Sequence, residues 1–304
     1  MKNKVYPKVA IIILNWNGGQ TTVDCLNSLN TVTYPNYETI LIDNGSNDGS
    51  LETICQEFPA LNVIAMEKNL GYVGGNNAGI HLAITQQADF VLLLNNDTVV
   101  TPDFLDILVD TMESSIDIGA VGPTIYYFDR PDVIWSAGGA IDWARGKTRM
   151  LNLGNNDYGQ LPSAPRGVDF ISGCALLVRT TVIQKVGLLD PQFFAYYEET
   201  EWCVRIHRAG YRILHIPRSR IWHKISLEDR EASPAVQYYM TRNRLLFLKL
   251  THAGLRSWIQ TLFDFSRTLL SWSLKPRWRN KKNQQKAMIK ALVDFSQSRF
   301  GQFS

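Results

Sequence analysis

Asn95, Asn96 and Asp97 end the run FVLLLNND, in which five apolar residues pass directly into three polar ones. Burying such side chains is costly unless something pairs with them. Asp97 offers hard oxygen ligation, suited to Mg²⁺ or Mn²⁺ bridging the phosphates of a nucleotide. Its other use would be as a helix cap, but Thr101 stands closer to the helix that Pro102 should open. A second group is YYEETEWCVR, with Glu198, Glu199 and Glu201. On a helix, Glu198 and Glu201 share a face and Glu199 lies about a quarter-turn away. Acidic residues suit a first helical turn. Carboxylates behind a run of aromatics can equally gain the basicity that general-base work needs. His223, in IWHK, is a candidate metal ligand if it faces the same site, whereas His81, His207, His215 and His252 read as structural.

Two further groups have the chemistry of nucleotide binding. In LIDNGSNDGS, Asp43 ends an apolar stretch and could accept hydrogen bonds from a ribose or base, while Asp48 reads as turn or cap chemistry. In KNLGYVGGNNAGI, Gly71, Gly74, Gly75 and Gly79 surround the start of a helix expected over residues 76–86. Glycines there let a backbone approach phosphate, or simply supply positive φ. The spacing matches neither the dinucleotide fingerprint nor a P-loop.

The elements that must carry these groups alternate. Apolar stretches at 9–14, 39–43, 62–66 and 90–94 read as strands, separated by helical stretches at 20–30, 50–56 and 76–86. Short all-apolar strands alternating with helices predict an α/β fold with a parallel sheet. Right-handed crossovers then bring the strand ends to one edge, where ligands bind. The residues just past the strands are Asn15-Trp16-Asn17-Gly18, Asp43-Asn44-Gly45-Ser46, Glu67-Lys68-Asn69 and Asn95-Asn96-Asp97, a polar rim on an apolar sheet. Farther on, 168–179 reads as a strand, 180–186 as a helix, and RILHIP and RIWHK as two short strands.

Composition narrows the function classes. The 304 residues, 45% hydrophobic and 19% charged, can bury a full core without staples. Cys25, Cys55, Cys174 and Cys203 show no paired spacing, which argues against a zinc site or disulfide framework and for a reducing compartment. The apolar run near the N-terminus is too short for a signal peptide, and no stretch reaches the length of a membrane span. The net charge of +3 is uneven. Residues 255–304 hold ten Lys and Arg against two Asp, a net +8, leaving −5 for residues 1–254.

Taken in order, ILNWNG, ILIDNGSNDGS, NLGYVGGNNAGI, LLLNNDTVV, FISGCALLVR, FFAYYEETEWCVRIHRAGYRI, IWHKIS and YYMTRNRLLFL resemble the bacterial family 2 glycosyltransferases, nearest to the branch with rhamnosyltransferases of surface polysaccharide assembly. The resemblance implies the glycosyltransferase A fold, a Rossmann-like, mostly parallel sheet flanked by helices, over residues 1–250. Residues 1–117 would form the nucleotide-binding half and 118–250 the acceptor half. It implies inverting transfer of a sugar, rhamnose for instance, from a nucleotide-diphosphate donor to a saccharide or lipid-linked acceptor. Donor contacts would come from Asn15, Asn17, Asp43, Asn44, Asn69, Gly71, Gly75, Asn76, Asn95 and Asn96. Mg²⁺ or Mn²⁺ would sit on Asp97 and His223. Glu199 would be the base, with Glu198 or Glu201 as alternatives because Glu199 stands where the family has Asp. Asn95 replaces the first Asp of the D-x-D metal motif, which raises the importance of His223. Other classes are a sugar-nucleotide nucleotidyltransferase, which would want a basic residue in NWNGGQTT, and a non-catalytic nucleotide-binding protein, which has no use for the glutamates.

Residues 251–304 mix Trp, Phe and Leu with Arg and Lys at helical spacing, as interfacial amphipathic helices do. Lipid-linked acceptors make an anionic membrane the expected partner, with the enzyme peripheral on the cytoplasmic face. No nucleic-acid motif appears. The alternatives are helices packed on the catalytic domain or on a second copy in a homodimer.

Overall fold

The computed structural model describes residues 5–225 and 233–303. Ser226 of the IWHKIS motif and Ser304 of the C-terminal stretch lie outside them. In the first half, β1 (Val9–Asn15), α1 (Gly19–Leu29), β2 (Tyr37–Asp43), α2 (Ser50–Glu57), β3 (Asn62–Ala65), α3 (Gly71–Thr85) and β4 (Phe90–Asn95) follow the alternation read from the sequence. Next come β5 (Thr98–Val100), α4 (Phe104–Glu113), β6 (Ile118–Tyr127), β7 (Ile134–Ser136), β8 (Gly139–Asp142), β9 (Lys147–Met150), β10 (Arg166–Gly167) and β11 (Ala175–Arg179). They are followed by α5 (Thr180–Val186), α6 (Glu198–Arg208), β12 (Arg212–His223), α7 (Pro234–Leu250), α8 (Leu255–Leu274), a 3₁₀ turn (Pro276–Lys281) and α9 (Lys282–Ser296).

The all-apolar strands are explained by cover on both faces. Along β1, Ala10 and Ile12 enter one core while Val9, Ile11 and Ile13 enter the other, and β4 divides its residues the same way. Helices α3, α5, α6 and α7 close the first face; α1, α2 and α4 close the second. Truncating a fully buried residue such as Ile12 to Ala should cost about 2–5 kcal/mol.

Among the described residues, ten strands form one sheet, with the path β10-β12-β6-β11-β4-β1-β2-β3 and with β5 and β7 paired to β12 and β6. β1 lies parallel to both β2 and β4, so the chain moves outward through β2 and β3 and then returns to the other side of β1. That reversal opens a crevice beyond the ends of β1 and β4, where Asn15 and Asn95 stand. β11 runs antiparallel to β4, which brings the residues just before it, Ser172 to Cys174, to the same edge.

Four expectations are corrected. The strand read over 168–179 is confined to Ala175–Arg179, because Phe170 and Ile171 leave the strand line to fill the core and the Ser172 hydroxyl accepts from Cys174 N at 3.2 Å. RILHIP and RIWH form one strand, β12, whose register with β6 shifts between Ile216 and Arg220. In that irregular stretch Ser219 donates to the Phe104 carbonyl at 2.9 Å. Thr101 does not cap a helix; its hydroxyl donates to Arg220 O, and α4 starts later. The helix expected over 76–86 begins at Gly71, so the glycine-rich stretch is itself helical.

The C-terminal helices pack on the rest of the chain. Tyr238 on α7 donates to Asp294 on α9 at 2.7 Å, and Arg244 pairs with Asp264 on α8 at 3.3 Å. Lys147 on β9 also reaches Asp264, at 2.9 Å. No described helix is long and apolar enough to cross a membrane.

Candidate active site

At the end of β1 and β2 the polar side chains are bound to one another. Asn15 is fully buried, and its amide donates to Asp43 Oδ1 at 2.8 Å, with Ser46 and Ser50 hydroxyls 3.1 and 3.2 Å away. Its oxygen accepts from Thr22 at 2.8 Å, and Thr22 in turn accepts from Asn96 at 2.7 Å. The second oxygen of Asp43 accepts from Ser46 N at 3.0 Å. Asn17, in a left-handed conformation, accepts from Asn47 N. Asn15 thus supports Asp43 from inside. Ser46 stands in the polar rim read from the sequence; Thr22 and Ser50 were given no binding role there, since hydroxyls in first helical turns carry no signal of their own.

Asn44 organises the next loop: its amide donates to Asn69 Oδ1 and Gly71 O, and its oxygen accepts from Leu70 N. Gly71 has φ +74°, and a Cβ there would overlap the Phe194 carbonyl. Gly75 needs its hydrogen because Leu14 on β1 lies against it. Asn76 donates to Tyr72 O within the helix. These glycines let α3 seat closely on the sheet and on the loop before α6.

Beside this network lies a cavity of about 790 Å³, and Asn95, Asp97, Glu198, Glu199 and His223 all line it. β5, unforeseen in the sequence, explains the meeting of Asp97 and His223. Pairing Thr98 with His223 places Asp97 at the end of β12, and Lys224 N donates to Asp97 O at 2.7 Å. His223 Nε2 lies 3.0 and 3.1 Å from the two carboxylate oxygens of Asp97. Trp135 stands edge-on to the imidazole at 4.8 Å. Burial works against the charged ring, but the Cys174 sulfur and the Asp97 carboxylate outweigh it and raise His223 to about 10. Burial also raises the Cys174 thiol.

Asp97 Oδ1 and His223 Nδ1 are buried without a hydrogen bond of good geometry. One carboxylate with an unbonded oxygen and one imidazole, once the ring gives up its proton, suit a divalent cation whose remaining ligands would be water and substrate phosphate. Among the described residues no cluster of three or more such side chains exists that could hold a metal alone.

On the same cavity, α6 begins with Glu198 and Glu199. Glu198 is buried and Glu199 half-buried, and Oε2 of each is buried without a hydrogen-bond partner. Burial raises Glu199 to about 7; burial and the neighbouring Glu199 charge push Glu198 well above the carboxylate range. Glu201 is not brought into the cavity. Arg205, one turn on, takes both its oxygens at 2.9 Å, and the same guanidinium donates to Val186 O and Leu188 O. The helical-face pairing of Glu198 with Glu201 fails because this i, i+4 ion pair captures Glu201. Tyr196 and Tyr197, just before the helix, have φ 71° and 76°. Two consecutive bulky residues in the left-handed region cost roughly 1–3 kcal/mol each and must be held in place by their surroundings.

Other lining residues were missed in the sequence. Tyr72 donates to Gly173 O at 2.7 Å, and Arg149 reaches the cavity from the β8-β9 hairpin. Tyr72 stands in the glycine-rich motif but was not singled out there, and Arg149 stands outside every motif. Thr241, Arg242 and Asn243, buried in α7, belong to YYMTRNRLLFL, a stretch that carried the family resemblance without a role assigned to any of the three.

Comparison with known proteins agrees with this layout. Residues 7–244 match the family described as glycosyltransferase like family 2. An N-acetylglucosaminyl-diphospho-decaprenol L-rhamnosyltransferase of Mycobacterium tuberculosis is 27% identical over 80% of this chain and 85% of its own length. A dTDP-rhamnosyl transferase of Shigella flexneri is 24% identical over 85% of this chain and 86% of its own. In fold, the chain is similar to a mannosyltransferase of Pyrobaculum calidifontis solved with GDP-Man and Mn²⁺, with TM-score 0.60, 14% identity, and coverage of 97% of this chain and 89% of that one.

Proposed function

This chain belongs to the family 2 glycosyltransferases, and from that premise we propose that it moves a 6-deoxyhexose, rhamnose in the first instance, from a nucleotide-diphosphate donor to a saccharide or lipid-linked acceptor with inversion. The observation that carries the reading is a pair of adjacent glutamates, each with a buried, unpartnered oxygen, sharing one cavity with Asp97 and His223. The rhamnosyl donor and the lipid-linked acceptor are suggested by the printed activities of the Shigella and Mycobacterium relatives.

Glu199 removes the proton from the acceptor hydroxyl as that oxygen attacks the anomeric carbon, and the nucleoside diphosphate leaves from the opposite face. A carboxylate that titrates near 7 is well matched to this task at neutral pH. Glu198, held protonated beside it, keeps the pair from carrying two charges and can donate a hydrogen bond to the incoming sugar. Asp43, steadied by Asn15, faces the nucleoside, while Asn44 and Asn69 shape the loop beside it. Asp97 and His223 would hold Mg²⁺ or Mn²⁺, which neutralises charge growing on the leaving diphosphate.

A panel of UDP-, dTDP- and GDP-sugars, with each metal and a lipid-linked saccharide acceptor, tests the reading. Product with inverted anomeric configuration by NMR is expected, with a dTDP-sugar preferred. Absence of transfer from every donor would defeat it.

The membrane is the proposed partner of α8. Leu255, Ile259, Phe263, Leu270 and Leu274 are exposed along one helix, and Arg256, Arg267 and Lys275 stand among them. Apolar residues interleaved with cations suit an anionic bilayer surface. The face connects to the cavity through the β8-β9 hairpin, which is tied to α8 by Lys147 and lends Arg149 and Met150 to the cavity wall. An enzyme docked this way works at the cytoplasmic face. Full-length protein should float with anionic liposomes and the Leu270→Glu, Leu274→Glu variant should not. Concentration-dependent dimerisation lost in that variant, without flotation of either protein, would assign the face to a second copy.

A further inference from the structure

α7 buries two polar side chains for which the sheet and the cavity give no reason. Arg242 and Asn243 are both fully buried. The Asn243 amide uses its two hydrogens on consecutive carbonyls, Ala195 O at 2.7 Å and Tyr196 O at 2.9 Å. These belong to the left-handed turn that delivers Glu198 and Glu199. Asn243 Oδ1 accepts from Arg242 Nε at 3.0 Å, which fixes the amide with its nitrogen toward the turn. The rest of the guanidinium donates to Gly301 O at 2.7 Å and to Gln192 O at 3.4 Å. One end of this device therefore grips the start of the loop, and the other grips its last turn.

We propose that Arg242 and Asn243 are positioning residues that set the Ala195–Tyr197 turn and so aim the two glutamates into the cavity, with the C-terminal segment around Gly301 as the third point of the brace. The inference rests on reading those glutamates as the acid–base pair. Its physical basis is that a turn with two bulky residues at positive φ does not hold itself, and that free carbonyls inside the protein need donors. Asn suits the place because a single side-chain amide offers two donors in one plane. Among the described residues Arg242 has no carboxylate hydrogen-bond partner; it faces the rings of Tyr238, Tyr239 and Phe300 at 5.2 to 5.9 Å. Tyr239 also stacks on Phe194, in the same loop, at 5.5 Å, and its hydroxyl accepts from Phe303 N at 2.8 Å. The segment at residues 300–303 thus shares contacts with the turn that begins the catalytic helix.

The test compares full-length Asn243→Ala and Arg242→Lys with the parent protein, reading kcat, KM, the pH profile of kcat, binding of the free nucleoside diphosphate with Mn²⁺, and thermal melting. A misplacement of about 1 Å costs on the order of 10²-fold in rate. Asn243→Ala should therefore lose about that much kcat and shift its pH limb, while nucleotide binding stays unchanged. Arg242→Lys keeps the positive charge but loses the fork that orients Asn243, so it should lose less. Unaltered kcat and pH profile in folded Asn243→Ala would overturn the proposal, and so would a loss matched by equal losses in nucleotide binding and cooperative melting. If Asn243→Ala does not fold, full activity in Arg242→Lys overturns it. Glu199→Gln in the same assay keeps the two readings apart: normal turnover there removes the base assignment, whereas normal turnover in Asn243→Ala removes only the positioning role.

Discussion

The two polar regions on the strand edge are built on opposite plans. Around Asn15 and Asp43, each side-chain donor and acceptor has met another within the chain. Around Asp97, His223, Glu198 and Glu199, buried atoms are left without hydrogen bonds. Satisfied networks rigidify, whereas unsatisfied buried groups cost free energy that a protein tolerates where a ligand or a reaction uses them. The difference separates a rigid cradle for the nucleoside from a reactive cavity whose groups await partners.

Substitutions should therefore act differently on the two sides. The largest effect is expected from Glu199→Gln, which keeps the shape and removes the base: kcat should fall by about 10² to 10⁴ with nucleotide affinity intact. Steady-state kinetics beside calorimetric titration check this, and near-normal turnover would move the base elsewhere. Asp97→Ala should weaken metal-dependent nucleotide binding by at least the roughly 10–100-fold that loss of an outer-shell metal partner gives. Identical isotherms with and without Mn²⁺, in both proteins, would remove the metal from Asp97.

On the satisfied side the penalty should appear in folding first. Asn15→Ala leaves the buried Asp43 carboxylate short of a donor and should destabilise the protein by about 1–3 kcal/mol in urea unfolding. A variant as stable as the parent, with lost nucleotide binding, would mean that Asn15 serves the ligand directly and would erase the contrast.

The smallest effect concerns pH. Glu198 and Glu199 are raised in the folded state, so the folded protein holds protons that the unfolded chain has released. Their contribution makes stability fall as pH rises from the ordinary carboxylate value near 4.5 through about 7. The slope is at most about 1.4 kcal/mol per pH unit for each group. Glu198→Gln should flatten it, measured as urea midpoints from pH 5 to 8. An unchanged slope would show that Glu198 is not held protonated.

Much of the architecture was legible along the chain because local rules govern it. A strand covered on both faces must be apolar throughout, so β1, β2 and β4 stand out in the sequence. α5 spans residues 180–186, the stretch read as helical. Misreadings occurred where distant residues intervene. β5 is a strand because β12 offers it a partner, and three residues of local sequence could not announce that. Glu201 looked equivalent to Glu198 until Arg205 captured it.

The alternation of strands and helices, the polar rim past the strand ends and the kinds of chemistry available there follow from residue type and period along the chain. Which groups meet is settled by the packed fold. Asp97 and His223 are separated by 126 positions, and one pairing of edge strands brings them within 3.1 Å. Asn243 reaches Tyr196 across 47 positions, through a helix whose place is set by its apolar face. Such meetings arise from packing the whole chain, and no local spacing encodes them.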